Sequence, residues 1–201
     1  MIKIAVVGKI GAGKSYVAQS FGIPVFNADK EVSKIYEKNI NFFKKLKKQI
    51  PKYIKSYPIK KREILKSILT NKQNLKKITK IIHPIVRKKM ISFLKTHKNK
   101  KAIVLDIPLY FENKINRKED IIIYVDASEK KINAKLKKRP NYNRKLLSEF
   151  KKIQLKSNLK KKKSNYIIVN NFKSNLIKKK IKFLKKNILE KNIKKKKKQL
   201  Y

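Results

Sequence analysis

The chain has 201 residues, a formal net charge of +46 at pH 7 and no cysteine. This length suits one domain with insertions and a buried core, and the lack of cysteine excludes disulfides and cysteine metal sites. No apolar run approaches the ~20 residues of a membrane-spanning helix, and the amino terminus leads directly into a strand pattern, so we expect a cytoplasmic protein without a membrane partner.

The first predicted strand, Ile2–Val7, is followed by a glycine-rich loop over Gly8–Ser15, with the sequence GKIGAGKS. This loop fits GxxxxGK[ST], the phosphate-binding loop of nucleoside triphosphatases and kinases. Its glycines let the backbone approach a ligand closely, and its successive N–H groups would form a nest for phosphates. Lys14 is predicted to reach the β- and γ-phosphates of ATP, and the Ser15 hydroxyl is predicted to bind Mg²⁺.

Apolar residues at helical spacing follow the loop, so a strand, a loop and a helix occur in the order that the motif requires. This context disfavours the alternative of an ordinary glycine-rich turn. The predicted nucleotide-binding residues of this segment are Gly8, Gly11, Ala12, Gly13, Lys14, Ser15 and Tyr16.

Five short apolar runs along the chain are predicted as buried strands, and helical patterns separate them. They are Ile2–Val7, Ile23–Phe26, Ala102–Leu105, Ile121–Val125 and Tyr166–Val169. This alternation predicts an α/β fold of three layers, in which a five-stranded parallel sheet carries helices on both faces. Because ligands bind at the carboxyl ends of such strands, the residues after each strand are the candidates for chemistry.

The second strand is followed by Asp29, which is expected on the side of the sheet that carries the phosphate loop. A carboxylate there could accept the proton of an attacking hydroxyl, as the catalytic aspartate of kinases does. The alternative is that Asp29 caps the helix that follows.

The segment Lys30–Lys100 between the second and third strands has apolar residues at helical spacing and is too long for a simple crossover. We therefore expect a helical insertion. Within it, Pro84 is predicted at the first position of a helix, and a lone histidine such as His83 is most often a structural hydrogen-bonding residue.

The third strand is followed by Asp106, which could belong to the Mg²⁺ shell beside the phosphate loop. Pro108 would force an extended exit from the strand. Glu112 is predicted either to have a functional role or to begin the next helix, where its carboxylate would complement the helix dipole.

The segment Ser128–Asn165 is predicted to form two helices with a break over Arg139–Arg144, where proline and asparagine occur. A basic, broken helical segment near a phosphate site resembles a mobile lid, and Arg139 or Arg144 could stabilise charge on the transferred phosphoryl group. The alternative is that both arginines are solvated surface charges. A last amphipathic helix is expected to pack on the sheet, and the basic tail over residues 191–201 is expected to be disordered.

These residues together resemble the dephospho-coenzyme A kinase family, and the similarity runs through almost the whole chain. The phosphate loop is similar to the start of that family, and Asn27-Ala28-Asp29 to its Asp-Ala-Asp segment. The string from Asp106 to Glu112, DIPLYFE, is similar to the family's Asp-x-Pro-Leu-Leu-Phe-Glu and is the most specific match. Further matching positions are Arg62, His83-Pro84, Arg139, Arg144, Gln154 and Asn170-Asn171.

The resemblance implies a phosphotransferase that moves the γ-phosphoryl group of ATP, with Mg²⁺, to the 3′-hydroxyl of dephospho-coenzyme A. It implies Asp29, Lys14 and Arg139 as catalytic residues and adds Arg144 and Asn170 to the nucleotide site. The substrate-binding residues it implies are Asp29, Arg62, His83, Asp106 and Pro108, and the metal ligands are Ser15 and Asp106.

The resemblance also implies how the chain is divided into functional segments. We expect the protein to be a monomer. Residues 1–29, 101–127 and 166–190 would form the nucleotide-binding core, residues 30–100 would bind the coenzyme A moiety, and residues 128–165 would form the lid. The sequence departs from the family pattern at Tyr16, Lys135 and Ser164-Asn165, which puts the lid contacts in doubt but removes none of the proposed chemistry.

The positive charge allows a competing interpretation. Of the 58 basic residues, 53 are lysine and five are arginine, although specific phosphate and base recognition favours arginine. Lysine, isoleucine and asparagine share A/T-rich codons, so we interpret the charge as compositional bias and expect no specific nucleic-acid partner. The alternatives are another small-molecule or nucleoside monophosphate kinase, a basic RNA-binding protein with a vestigial phosphate loop, and an inactive remnant.

Overall fold

The computed structural model of the chain describes residues 1–140 and 142–197, with side chains described as far as residue 191. Helices separate consecutive strands along these residues, as the sequence predicts, except between β3 and β4, where residues 107–120 form turns and irregular structure and no helix. The elements are β1 (Ile2–Gly8), α1 (Lys14–Gln19), β2 (Val25–Asn27), α2 (Ala28–Lys38), α3 (Ile40–Gln49), α4 (Lys61–Thr70), α5 (Gln73–Thr96), β3 (Ala102–Asp106), β4 (Ile121–Asp126), α6 (Glu129–Lys137), α7 (Arg144–Lys152), α8 (Ser157–Lys162), β5 (Tyr166–Val169) and α9 (Ser174–Lys197).

Within the described residues, the five strands form one sheet in the order β2-β3-β1-β4-β5. β1 pairs in parallel with β3 and with β4, and β4 pairs in parallel with β5. The predicted α/β fold with a five-stranded parallel sheet is therefore confirmed. β1 lies at the centre, with β2 and β3 on one side of it and β4 and β5 on the other, so the chain crosses from one side to the other after β3. The carboxyl end of β1 is thus the switch point at which parallel sheets bind ligands.

The apolar character of the strands explains this arrangement. β1 and β3 are buried on both faces, with Ile4, Val6, Ile103 and Val104 at most 1% exposed. Uninterrupted apolar runs are typical of parallel strands, because helices cover both faces of the sheet. The burial of these strands leaves the loops at their carboxyl ends to carry the polar side chains.

The chain divides into two compact units. The first contains Met1–Phe26, His97–Tyr142 and the described residues from Ile153 onward, and it therefore holds nearly the whole sheet with α1, α6, α8 and α9. The second contains Asn27–Thr96 and Asn143–Lys152, which are α2 to α5 with α7. Its helices pack around their own apolar core, which includes Ile35, Phe42, Leu46, Ile54, Ile68, Ile82 and Leu146.

Two predicted element boundaries in the first half of the chain are wrong. β2 begins at Val25 rather than Ile23, because Pro24 has no N–H to donate to a ladder; its carbonyl accepts a hydrogen bond from Val104 N. Pro84 lies inside α5 rather than at its first position. Buried or partly buried isoleucines before and after Pro84, among them Ile82 and Ile85, hold both halves of α5 on the core of the second unit and offset the lost backbone hydrogen bond.

Three further expectations need correction in the second half. Glu112 does not begin a helix, because residues 108–114 form turns. The predicted break over Arg139–Arg144 is present between α6 and α7, with Asn141 outside the described residues, but a second break over residues 153–156 separates α7 from α8. α9 continues to Lys197, into the tail predicted to be disordered, because lysine propagates a helix well. Residues 198–201 of that tail lie outside the described residues.

Among the helices of residues 1–140 and 142–197, none combines the length and the apolarity needed to cross a bilayer.

Candidate active site

The glycine-rich loop connects the centre of the sheet to α1 in the first unit. Gly11 and Gly13 have φ angles of 85° and 87°, in the left-handed region that side-chain-bearing residues avoid. The loop turns back on itself through a hydrogen bond from Ala12 N to Lys9 O of 3.2 Å. A Cβ on Gly11 would lie 2.9 Å from Leu136 Cγ, so α6 packs directly on the loop. The glycines are therefore required both by backbone angle and by close packing.

The lysine and serine of the motif begin α1. Lys14 is buried, and its ammonium donates a hydrogen bond to Lys9 O at 2.9 Å, within its own loop. Ser15 and Tyr16 follow on the first turn of α1 and are exposed. The arrangement thus places the buried Lys14 ammonium and the exposed Ser15 hydroxyl next to each other in sequence at the end of the loop.

Asp106 ends β3, the strand beside β1, and its side chain is 3% exposed. The register pairs Ala5 with Leu105, so Asp106 lies at the same edge of the sheet as the loop that follows β1. The described residues contain no group of three or more His, Cys, Asp or Glu side chains placed to hold a metal. One hydroxyl and one carboxylate fit Mg²⁺, because this ion commonly takes one or two protein ligands and completes its shell with phosphates and water.

The turn after β3 is anchored by a buried ion pair. Glu112 Oε1 lies 2.6 Å from Lys160 Nζ, with the two side chains 10% and 3% exposed. The same oxygen accepts a hydrogen bond from Leu155 N at 2.9 Å. Glu112 therefore ties the segment that carries Asp106 and Pro108 to α8. Lys160 was not found from the sequence, because it is one of four consecutive lysines.

We expect Lys160→Met to lower the free energy of unfolding by about 2 kcal/mol, because methionine keeps the volume but leaves a buried carboxylate without its cation. Lys161→Met is the matched control: Lys161 pairs with Asp126 where both side chains are about a third exposed, and its loss should cost under ~1 kcal/mol. Urea unfolding followed by circular dichroism measures both. Equal losses in the two variants would contradict a special role for the buried pair.

α6 packs against the phosphate loop and leads to Arg139, the first of the two arginines that the sequence assigns to a predicted lid. Ile132 and Leu136 are buried over Gly11, and Glu129 pairs with Lys9 of the loop. The hydrogen-bonded Glu129 carboxylate raises the pKa of Lys9 above its ordinary value. Arg139 follows α6 and is exposed. The contacts of α6 with the loop were missed from the sequence, since periodicity shows that a helix is amphipathic but not what it packs against.

The loop after β5 contributes Asn170, which is 2% exposed. Its side-chain Nδ2 donates to Ala12 O at 2.8 Å, so this residue contacts the phosphate loop directly. Within the first unit the structure therefore brings together the phosphate loop, α6 and Asn170, and it places Asp106 and Pro108 at the carboxyl end of the neighbouring strand.

The remaining candidates lie in the second unit. Asp29 is exposed in the first turn of α2, but the cap of that helix is Asn27, whose side chain accepts a hydrogen bond from Lys30 N at 2.8 Å. The capping role considered for Asp29 is therefore wrong. Burial and then the nearby Asp29 carboxylate raise the pKa of Tyr36 to about 12, so this phenol stays protonated at neutral pH.

α5 of the second unit carries an open basic groove of about 500 Å³. Its lining residues are Lys76, Thr79, Lys80, His83, Pro84, Arg87, Lys88 and Ile91. Partial burial, and then Arg87, lower the pKa of His83 below its ordinary value, which favours the neutral imidazole at pH 7. Arg62 is exposed on the first turn of α4, and Arg144 is exposed as the first residue of α7.

Comparison with known proteins gives consistent results. The dephospho-CoA kinase family model matches residues 2–175. The dephospho-CoA kinase of Bartonella quintana is 31% identical over 170 residues, which are 82% of this chain and 87% of that protein. Solved structures of a Thermus thermophilus protein and of a dephospho-CoA kinase from Campylobacter jejuni are similar in fold, each at 22% identity. The Thermus thermophilus structure has a TM-score of 0.73, and the similarity covers 94% of this chain and 97% of that one. The Campylobacter jejuni structure has a TM-score of 0.61, and the similarity covers 92% of this chain and 96% of that one.

Proposed function

The chain belongs to the dephospho-CoA kinase family, and from this premise we propose that it transfers the γ-phosphoryl group of ATP to the 3′-hydroxyl of dephospho-coenzyme A. The products are coenzyme A and ADP, and the reaction is the last step of coenzyme A synthesis. The observation that carries the proposal is the family match over residues 2–175, together with a phosphate loop at the switch point of the sheet.

The first unit binds the nucleotide in this proposal. The N–H groups of Gly8–Ser15 surround the phosphates, and the Lys14 ammonium leaves Lys9 O to contact the β- and γ-phosphates. Ser15 and Asp106 would hold Mg²⁺, which when bound neutralises charge on the phosphates. Tyr16, at the start of α1, contributes its backbone to the nucleotide site. Asn170 contributes through its contact with the loop.

Asp29 is the proposed general base. As the acceptor's 3′-oxygen attacks the γ-phosphorus, its proton passes to the Asp29 carboxylate, and the bond between that phosphorus and the β,γ-bridging oxygen breaks to release ADP. The exposure of Asp29 on the first turn of α2 supports this role, because a substrate can reach an exposed residue. Arg139 or Arg144 would stabilise charge on the transferred group.

The second unit binds the acceptor in this proposal. Dephospho-coenzyme A carries a pyrophosphate, and the α5 groove offers Arg87 and three lysines to an anion. Neutral His83 in the same groove can donate or accept one hydrogen bond. The other proposed substrate-binding residues are Asp29 and Arg62 of the second unit, with Asp106 and Pro108 of the first. The assignment of residues 30–100 to the coenzyme A moiety and of residues 128–165 to a lid stays a prediction.

The proposal is tested by ADP release from ATP and Mg²⁺ with different acceptors. Dephospho-coenzyme A is expected to raise the rate at least ~10-fold over AMP, CMP or UMP, because a site that binds the substrate's polar groups rejects analogues without them. Coenzyme A, whose 3′-hydroxyl is already phosphorylated, is the matched control and should give no rate above background. A nucleoside monophosphate as the best acceptor would instead favour the related kinases, and tight RNA binding at physiological salt without ADP release would favour the RNA-binding alternative.

A further inference from the structure

We propose that Asn170 is a positioning residue that sets the direction of a phosphate-binding N–H group in the loop. The inference deepens the proposed function and rests on it for the identity of the ligand. It starts from a contact that spans most of the chain, because Asn170 follows the last strand whereas the loop follows the first.

Asn170 is held on both sides of its amide. Its Oδ1 accepts a hydrogen bond from Phe172 N at 2.8 Å, and its Nδ2 donates to Ala12 O at 2.8 Å. Its backbone N donates to Asp126 O of β4 at 2.7 Å. A side chain with a fixed donor, a fixed acceptor and 2% exposure has little freedom to move.

The consequence for the loop follows from the planarity of the peptide bond. In a trans peptide the C=O and the N–H of one plane point in opposite directions. Because Asn170 holds the Ala12 carbonyl, it turns the Gly13 N–H away from itself. Gly13, whose N–H lies in this peptide plane, has a left-handed φ of 87°. Without the Nδ2 donor this peptide plane could rotate, and the nest would lose a correctly directed N–H.

The close packing of Gly13 supports a built contact rather than an incidental one. A Cβ on Gly13 would lie 2.3 Å from Asn170 Nδ2 and 3.5 Å from Cε1 of Phe172. Phe172 itself has a φ of 64°, which is costly for a bulky residue and persists only where the surroundings enforce it. The Asn170 side chain enforces it by accepting the Phe172 N–H. The loop after β5 and the phosphate loop thus determine each other's shape.

The test compares Asn170→Asp and Asn170→Ser with Asn171→Asp in the full chain. Aspartate keeps the oxygen for Phe172 N but places an oxygen, not a donor, against Ala12 O. Serine replaces the whole amide by a shorter hydroxyl, which loses the reach of Nδ2 to Ala12 O without adding a charge. Asn171→Asp adds the same charge one residue away, where the side-chain oxygen that accepts from Lys173 N is kept. Calorimetry gives the Kd of ATP with Mg²⁺ and of dephospho-coenzyme A, and scanning calorimetry gives the Tm.

Both Asn170 variants are expected to raise the Kd of ATP at least ~10-fold with the Kd of dephospho-coenzyme A unchanged, and Asn171→Asp is expected to stay within ~2-fold of the parent for both. Unchanged ATP affinity in the Asn170 variants overturns the inference. An equal loss of affinity for ATP and for dephospho-coenzyme A also overturns it, as does failure of both variants to fold, because Asn170 would then serve the general stability of the unit. If the parent chain itself binds no ATP, the proposed function fails and not this inference alone.

Discussion

Lys14→Ala is expected to lower turnover at least ~100-fold, because one preorganised group that stabilises charge in a transition state is commonly worth that much. Lys14 is buried at the end of the phosphate loop, where its charge is less screened by water than that of a surface lysine. Its hydrogen bond to Lys9 O is made within the loop and would be exchanged for the phosphates when ATP binds. Steady-state ADP release with dephospho-coenzyme A measures the effect.

Lys131→Ala is the control for this experiment. Lys131 is an exposed lysine of α6, so its replacement removes the same charge from the same unit without touching the loop. We expect its turnover to stay within ~2-fold of the parent, since exposed charges contribute little. A loss in Lys131→Ala equal to that in Lys14→Ala would show that overall charge matters and not the position of the ammonium. Near-normal turnover in Lys14→Ala would remove this lysine from the proposed chemistry.

The sheet could be predicted from the sequence because its strands are buried on both faces. A strand such as β1 must then be apolar at consecutive positions, and short apolar runs stand out clearly in a chain with 35% charged residues. The position at which each strand ends can be read from where its apolar run stops. This is why the phosphate loop, Asp106 and Asn170 could be assigned to one edge of the sheet before their contacts were known.

Other features depend on contacts that no local pattern records. Lys160 cannot be told from the three lysines that follow it, yet it alone of the four is buried beside a carboxylate. The left-handed φ of Phe172 is equally hidden, because it is imposed by the Asn170 side chain and by packing on Gly13. The position of Pro84 was predicted wrongly for a similar reason: tertiary packing before and after it overcame the preference of proline for the first turn of a helix.

Asp29→Asn is expected to lower turnover at least ~100-fold, because asparagine cannot accept the proton of the attacking hydroxyl and general-base catalysis commonly contributes this much. Binding of ATP and of dephospho-coenzyme A should change far less, since the two side chains have the same size and shape. The measurement is ADP release at saturating substrates, with each Kd determined by calorimetry. A fall in turnover at unchanged affinity identifies an interaction made mainly in the transition state.

The capping of α2 makes this result interpretable. Asn27 caps the start of the helix through its own side chain, so Asp29→Asn leaves this cap in place, and the lost helix-dipole contribution is about 0.5 kcal/mol. Glu31→Gln is the matched control, because Glu31 lies in the same first turn and pairs with Lys34 and Lys89. It loses the same charge and should keep turnover within ~3-fold. Near-normal turnover in Asp29→Asn would exclude Asp29 as the base, and a similar loss in both variants would assign the effect to the helix.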